Sequence, residues 1–166
     1  MKLIRLALIS ILILFALASI VGALLPSTVL VSRAINVNVY KDSVKPNLNN
    51  INNWQGWVDG MDNASVKIYS PVKALIGNTE VEITGTTDST ITSLWTGPKG
   101  TNQLSTMRLI GDTVQKVTVV QWQFEQKVKW YPWEKLGSMM NDKILGTMME
   151  KDLNNLKVLL ESGRSQ

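Results

Sequence analysis

The feature that most limits the fold of this chain is a stretch of twenty uncharged residues, LALISILILFALASIVGALL, from position 6 to position 25. A helix of this length spans about 30 Å, because each residue adds about 1.5 Å, and this is the hydrocarbon thickness of a bilayer. Leu, Ile, Phe and Val each favour insertion by roughly 0.3 to 0.6 kcal/mol at the centre of such a helix. Residues 1–25 are therefore predicted to form an N-terminal transmembrane anchor, and the folded domain follows it.

A cleaved secretory signal is the alternative interpretation of the same segment. Val21-Gly22-Ala23 satisfies the small-residue rule for a cleavage site, but typical signal cores have roughly 7 to 15 apolar residues and this one is longer. We therefore favour a retained anchor. Lys2 and Arg5 precede the segment, whereas Arg33 is the first basic residue after it. The positive-inside rule then places the N-terminus in the cytoplasm and the domain outside, in the periplasm, and a cleaved protein would be secreted.

Composition excludes several classes of function. The chain has no cysteine and no histidine, which excludes thiol nucleophiles, Cys/His zinc sites and histidine-based triads. The formal charge is +4 at pH 7, and it falls to +2 for residues 26–166 because Lys2 and Arg5 belong to the anchor. No Lys/Arg cluster is present, so nucleic-acid binding is not expected. No metal and no cofactor is predicted.

The chain after the anchor alternates between the period of strands and that of helices. Residues 29–39 place apolar side chains at every second position, which predicts a strand. Apolar residues three or four apart then predict helix over residues 44–54, and Pro46 and Gly56 favour two short helices over one long helix. Short alternating segments separated by turn residues predict an antiparallel meander. These segments are 66–70, 72–76, 81–85, 90–95, 104–110 and 114–126.

Residues 133–160 carry apolar side chains at helical spacing and predict a long amphipathic C-terminal helix. The face toward the sheet is predicted to include Leu136, Met140, Ile144 and Met148. The face toward water is predicted to carry Lys135, Asp142, Lys143, Glu150, Lys151 and Lys157.

The order strand, two short helices, meander and long helix predicts an α+β domain, with helices on one face of a sheet of six or seven strands. This order resembles the polyketide cyclase/START-like (SRPBCC) superfamily, and so do the segments INVNVYKDSVKPNLNNINNWQGW and MMNDKILGTMMEKDLNNLKVLLES. The second segment is similar to the terminal helix of membrane-anchored bacterial members. Tyr40 stands where the family usually has proline. The resemblance implies a helix-grip domain over residues 26–162, and residues 163–166 are expected to be a disordered tail.

In the helix-grip fold the curved sheet and the long helix enclose a cavity, so the resemblance implies an apolar ligand between them. Methionines suit an adaptable apolar surface, but they also fill ordinary cores. Arg33 lies in a predicted strand. If its side chain faced inward, it would need an anion, either a carboxylate of the protein or an acidic ligand, and it is therefore a candidate ligand contact. The favoured alternative is that Arg33 faces solvent or the sheet edge. The candidate ligand-binding residues are Trp95, Met107, Trp122, Met140, Ile144, Met148 and Arg33.

Three functional hypotheses follow. The leading one is a membrane-anchored domain that binds an apolar small molecule or lipid. The alternatives are an enzyme of the polyketide cyclase/dehydratase type and a ligand-free protein-interaction domain. No paired carboxylates and no phosphate-binding loop are recognisable, so no catalytic residue is assigned.

Two aromatic motifs remain. Trp54 and Trp57 lie in the polar run NNINNWQGWVDGMDN, and as residues on a helix they are predicted to pack in the core rather than to contact a ligand. The segment WYPW, at positions 130–133, precedes the long helix. Its aromatic residues are candidates to gate a cavity, to touch a membrane interface or to hold the start of the helix.

Overall fold

The computed structural model describes residues 2–24, 26–111, 114, 116–129 and 131–162, without the side chains at positions 99, 132, 136 and 138–141. The predicted tail at 163–166 lies outside this range. The elements are helix α1 (Lys2–Leu24), strand β1 (Thr28–Val37), helix α2 (Lys41–Leu48), a 3₁₀ helix (Ile51–Gly56), strands β2 (Lys67–Ser70), β3 (Lys73–Ile76), β4 (Thr79–Thr86) and β5 (Thr90–Thr96), a 3₁₀ turn (Pro98–Gly100), strands β6 (Asn102–Ile110) and β7 (Thr118–Lys127), and helix α3 (Pro132–Ser162).

The element order confirms the predicted α+β helix-grip fold. α1 is long and apolar enough to cross a membrane. The seven strands form one antiparallel sheet in the order β1-β7-β6-β5-β4-β3-β2, so β1 and β2 are its two edges. Short turns join β2 through β6 as the sequence predicted, whereas β7 begins at Thr118 rather than at the predicted position 114. Gly77 adopts a φ of 60° between β3 and β4, a conformation that favours glycine.

The strand register gives the sheet a near end and a far end. At the near end Thr28 of β1 pairs with Lys127 of β7, and at the far end Val37 pairs with Thr118. The near end is where the chain enters the sheet from α1. Helix α3 also begins at the near end, since it follows β7, and its Glu161 accepts a hydrogen bond of 2.9 Å from the Asn38 side chain at the far end.

The helices cover one face of the sheet, which we call the inner face. Trp54 and Trp57 are 0% and 1% exposed, which confirms that they are core residues. Their indole N–H groups donate to the carbonyl oxygens of Leu48 at 3.0 Å and Asn47 at 3.1 Å. These bonds let two amphipathic rings enter the core without an unsatisfied donor. The polar residues around them therefore form the exposed back of a short helix whose aromatic face is buried.

Helix α3 buries Leu153 and Leu156, which belong to the predicted apolar spacing, but its first half presents a different face to the sheet from the one predicted. Its buried apolar side chains are Met149, Leu153 and Leu156, while Ile144 and Met148 are 61% and 52% exposed. The buried stripe is displaced by one residue from the predicted stripe, which corresponds to about 100° of rotation around the helix. The side chains of Leu136 and Met140 lie outside the described part of the chain.

The predicted wet face of α3 is mostly confirmed. Asp142, Lys143, Glu150 and Lys151 are exposed, and Lys157 is partly exposed. The prediction for Lys135 is wrong, because this residue is only 4% exposed. The error has the same origin as the displaced inner face, since the periodicity of the sequence gives the spacing of a stripe but not which of two neighbouring apolar stripes packs.

Polar groups tie α3 to the loop that follows the 3₁₀ helix. The backbone N–H of Asp59 donates to Oδ1 of Asp152 at 2.9 Å, and the side-chain amide of Asn155 donates to the Trp57 carbonyl at 3.2 Å. Asp152 is 3% exposed. Burial raises the pKa of this carboxyl above its usual value, although the hydrogen bond from Asp59 opposes the shift.

Ion pairs connect α2 to the far end of the sheet. Asp88, in the turn between β4 and β5, accepts from Nζ of Lys41 at 2.5 Å and lies 3.6 Å from Nζ of Lys45. The hydrogen bond from Lys41 lowers the pKa of Asp88. The partner lysines come from a helix that is distant from Asp88 in sequence.

Candidate ligand-binding site

The interior between the sheet and the short helices is filled by five aromatic side chains. Trp95 stacks on Trp54 with ring centroids 6.1 Å apart and meets Phe124 edge-on at 5.3 Å. Trp122 meets Trp57 edge-on at 5.7 Å and packs against Phe124 at 5.4 Å. Trp122 is 2% exposed. Two predicted ligand-binding residues therefore belong to a packed aromatic cluster, and their contact with a ligand stays a prediction.

Serine hydroxyls hold the two indoles of the sheet in place. Nε1 of Trp95 donates to Oγ of Ser93 at 3.0 Å, and Nε1 of Trp122 donates to Oγ of Ser105 at 2.8 Å. Ser93 and Ser105 pair across β5 and β6 and are 2% and 0% exposed. Met107, the third predicted residue from the sheet, is 2% exposed. The sequence offers no signal for the serine contacts, because they depend on strand register.

Arg33 points toward α3 rather than toward solvent, against the position favoured from the sequence. Its Nε donates to Oε1 of Glu150 at 2.6 Å, and its Nη1 lies 3.5 Å from Oδ1 of Asp142. The guanidinium lies against the α3 backbone at Gly146, where an added Cβ would be 2.6 Å from Cζ of Arg33. The anion that an inward arginine requires is thus supplied by the protein.

The predicted residues of α3 are separated from those of the sheet. Ile144 and Met148 lie on the exposed side of the helix, away from Trp95 and Trp122. The Met140 side chain lies outside the described residues. The structure therefore does not bring the seven candidate residues together around one cavity.

An open cleft of about 950 Å³ lies at the near end of the sheet. Its walls come from the turn between β5 and β6, from the end of β7 with the residues after it, and from the first turns of α3. The lining residues are Leu94, Gly100–Asn102, Leu104, Glu125–Lys129, Glu134 and Gly137. The volume is that of sites for small molecules, which usually measure about 300 to 1,000 Å³. No sequence motif marks this cleft, because its walls meet only when the strands pair.

The lining of the cleft combines apolar side chains with charges of both signs. Leu94 and Leu104 pair across β5 and β6 on the outer face of the sheet, and Leu104 faces Glu125 of β7. Lys127 and Lys129 are exposed, and Oε2 of Glu134 accepts from the backbone N–H of Lys129 at 3.2 Å. Such a lining suits an amphipathic molecule. No group of three metal-binding side chains occurs within the described ranges.

The cleft is connected to the aromatic cluster through Gln126. This residue lines the cleft, and its Oε1 accepts from Nε2 of Gln103 at 3.0 Å. Gln103 pairs with Trp95 across β5 and β6. The pair of glutamines thus lies on the inner face between the open cleft and the packed aromatic rings.

Aromatic residues of the WYPW segment lie next to the cleft. Trp133 is 60% exposed in the first turn of α3, and Tyr131 stacks on it with centroids 5.1 Å apart and the planes 10° from parallel. Position 130 is outside the described residues.

Comparison with known proteins identifies the fold but not a close relative. No protein-family profile and no curated protein matches the chain. Among solved structures, a protein from Nitrosospira multiformis aligns with a TM-score of 0.61 and 16% identity, over 82% of this chain and 100% of its own. A START superfamily protein from Mycobacterium smegmatis aligns with a TM-score of 0.57 and 14% identity, over 80% of this chain and 97% of its own.

The di-domain ARO/CYC protein StfQ from the steffimycin biosynthetic pathway aligns with a TM-score of 0.61 and 10% identity, over 84% of this chain and 52% of its own. At such identities a likeness shows the fold alone. The sheet order, the long C-terminal helix and these similarities together show that the chain has the helix-grip fold of the START-like superfamily.

Proposed function

We propose that this protein is a membrane-anchored helix-grip domain that binds an apolar or amphipathic small molecule, such as a lipid, in the near-end cleft. The observation that carries the proposal is the open cleft of about 950 Å³, with leucines and charged residues in one lining, at the end of the sheet from which α1 departs. A ligand that partitions into the bilayer would reach this cleft directly.

The site proposed here differs from the cavity implied by the family resemblance. The aromatic cluster fills the space in which Trp95 and Trp122 would face a ligand. A ligand in the near-end cleft would contact the glutamine pair first and Trp95 only if that pair separated. Trp95, Met107 and Trp122 are thus proposed as support beneath the site, and Arg33 as a residue that positions α3.

Membrane anchoring is tested separately from ligand binding. Carbonate extraction of native membranes should leave the full-length chain in the membrane fraction, because α1 is uncharged from Leu6 onward. Protease added after permeabilisation of the outer envelope should degrade the domain and spare cytoplasmic controls. A shortened, extractable protein that begins near Leu24 would show a cleaved signal, and a protected domain would reverse the topology.

Ligand binding is best tested at Gly137, because a Cβ there would meet no atom within 4 Å while the residue lines the cleft. Gly137→Phe should place a ring inside the cleft, and so narrow it, without disturbing the core. Native mass spectrometry of the full-length protein extracted from its own membrane should detect a co-purified ligand, and the variant should reduce its occupancy at least about tenfold, the equivalent of about 1.4 kcal/mol.

Two matched controls distinguish blockage from damage. Gly137→Ala adds helix propensity without filling the cleft, and Thr147→Phe adds the same ring at an exposed position of α3 outside it. Both should retain the ligand. The absence of any ligand from the parent protein, or equal occupancy in Gly137→Phe, would contradict the proposed site.

The filled interior favours one alternative, a domain that serves as a protein-interaction module without a ligand. The packed rings of Trp54, Trp57, Trp95 and Trp122 are the observation behind it. A parent protein that carries no ligand after gentle extraction but co-purifies with a defined protein would support this alternative. An enzymatic function would instead require Glu125 or Glu134, the carboxylates that line the cleft.

A further inference from the structure

The near end of the domain exposes an aromatic pair beside two lysines. Trp133 is 60% exposed, although tryptophan is the largest of the side chains that proteins usually bury. The ring of Tyr131 lies nearly parallel to it. Lys127 and Lys129 are exposed a few residues earlier in the chain. We call these four residues the aromatic tip.

The chain itself limits how far the tip can lie from the end of α1. Leu24 and Thr28 are four residues apart, and an extended chain spans at most about 3.6 Å per residue, or roughly 14 Å. The backbone N–H of Val128 donates to the carbonyl of Ser27 at 2.8 Å. The segment between Lys127 and Lys129 is therefore hydrogen-bonded to the linker that leaves the helix.

Helix α3, which carries Trp133, also packs against α1. In α1, Gly22 is buried and Ala18 and Ser19 are partly buried. These residues lie two to six positions before Leu24, or about 3 to 9 Å along the helix axis. An element that packs against them lies at that depth beside α1. If α1 spans the bilayer with residues 6–25 in the hydrocarbon, part of α3 thus reaches the edge of the hydrocarbon, directly next to the headgroup layer.

From this geometry we propose that the aromatic tip docks into the headgroup layer of the bilayer that holds α1. This inference rests on the proposed anchoring. Trp and Tyr favour this layer because their rings are apolar and their N–H or O–H groups remain hydrated. Lys127 and Lys129 would contact lipid phosphates. Docking turns the mouth of the cleft toward lipid and keeps the domain from rotating freely on its linker.

The test uses full-length protein in nanodiscs. Trp133→Phe keeps an aromatic ring, so the emission lost in this variant is that of Trp133. This difference signal should be quenched by lipids brominated near the headgroup end of the acyl chain, and iodide in the buffer should quench it weakly. The matched control is Trp54→Phe, whose difference signal should respond to neither quencher, because Trp54 is 0% exposed.

The lysines are tested with Lys127→Gln/Lys129→Gln in nanodiscs that contain an anionic lipid. Each lysine near such a surface shifts a binding equilibrium about fivefold, so the double variant should lower the ratio of docked to undocked protein about 25-fold and increase iodide quenching of Trp133. Lys67→Gln/Lys143→Gln removes two exposed lysines elsewhere and should leave the ratio unchanged.

The outcomes separate this inference from the proposed anchoring. Release of the protein by carbonate refutes the anchoring. If the protein is retained, but iodide quenches Trp133 and brominated lipid does not, then the protein is anchored and its tip is not docked. This result overturns the docking inference and leaves the anchoring intact. Trp133 shielded from both quenchers overturns the docking inference too, since another protein surface then covers the tip.

Discussion

Substitution of Gly146 by alanine gives the sharpest test of how α3 lies on the sheet. In a helix interior this change normally stabilises a protein by about 0.8 to 1.0 kcal/mol, because glycine loses more backbone entropy on folding. Here the new methyl group would overlap the guanidinium of Arg33, with Cζ at 2.6 Å and Nε at 3.1 Å. Arg33 would have to leave its position against the helix.

The magnitude follows from three contributions. The overlap is with the end of a flexible side chain that can move aside, so its cost lies near the lower end of the about 1 to 3 kcal/mol that overpacking takes. Loss of the Arg33–Glu150 pair adds at most about 1 kcal/mol, because the two side chains are 27% and 62% exposed and solvent screens them. After subtraction of the helix-propensity gain of about 0.8 to 1.0 kcal/mol, Gly146→Ala should destabilise the domain by up to about 1 kcal/mol. In an Arg33→Ala background the same change should stabilise it by about 0.8 to 1.0 kcal/mol.

The reversal of sign is measurable by urea unfolding of the full-length protein in detergent, followed by tryptophan fluorescence. All six tryptophans lie in the domain, so the signal does not report on α1. Gly137→Ala is the matched control on the same helix, because its methyl group meets no neighbour within 4 Å; it should stabilise the parent protein. If Gly146→Ala stabilised the parent as much as Gly137→Ala does, Arg33 would not lie against α3 and the reasoning would be refuted.

Three further predictions follow from the packing. Trp54→Ala should cost about 3 to 5 kcal/mol, because it removes a fully buried ring and the hydrogen bond to the Leu48 carbonyl; a loss below about 1 kcal/mol in urea unfolding would contradict the core assignment. Asp152→Asn keeps an acceptor for the Asp59 N–H but removes a buried charge. Because burial raises the pKa of Asp152 in the folded state, protonation stabilises the fold, so the wild type should gain stability relative to the variant as the pH falls from 7 toward 4. A pH-independent difference in unfolding free energy would argue against this. Met148→Trp should change the free energy of unfolding by no more than about 0.5 kcal/mol, since Met148 is 52% exposed. A large loss of stability would instead show that Met148 packs on the inner face, as the sequence predicted.

Much of the fold could be predicted from the sequence because its signals are local. The turns from β3 to β6 carry glycine, asparagine or aspartate, and the alternation of apolar residues in β1, β6 and β7 gives the strands directly. Trp54 and Trp57 follow from the helical spacing that begins at Val44. Each of these predictions depends on neighbours within a few residues, and each is confirmed by the burial of the residues concerned.

The orientation of α3 could not be predicted in the same way. Ile144 and Leu145 are adjacent, as are Met148 and Met149, so two apolar stripes run along the helix about 100° apart. The stripe that packs on the sheet is the one that also accommodates a polar contact, between the Arg33 guanidinium and Gly146. Arg33 needs the space above a residue without a side chain, and Gly146 provides it on the stripe that contains Met149 and Leu153.

The place of a cavity could not be predicted for a related reason. A family resemblance implies a cavity between sheet and helix, but the size of that cavity depends on the side chains of this chain. Trp95 and Trp122 were expected to line a space, whereas they fill it together with Trp54, Trp57 and Phe124. The near-end cleft is made from residues 100–102 and 125–129, which are brought together by the register of β6 and β7, and a single sequence does not give that register.

The two ends of the sheet differ in a way that, for the ligand binding proposed above, favours entry at the near end. At the far end, Asp88 joins Lys41 and Lys45, and the Thr118 hydroxyl donates to the Val39 carbonyl at 2.8 Å, so side chains from α2 and the strands are bonded across that end. At the near end, the wall between the cleft and the aromatic cluster includes one hydrogen bond between neutral amides, Gln103 to Gln126. Such a bond contributes about 0.5 to 1.5 kcal/mol net. Opening of the far end would break two ion pairs, each of them weak because Asp88 is 82% exposed and solvent screens it, together with the Thr118 hydrogen bond. An apolar molecule that enters the cleft can replace the glutamine contact at modest cost, and the depth it reaches is then limited by how far the ring of Trp95 moves from Trp54.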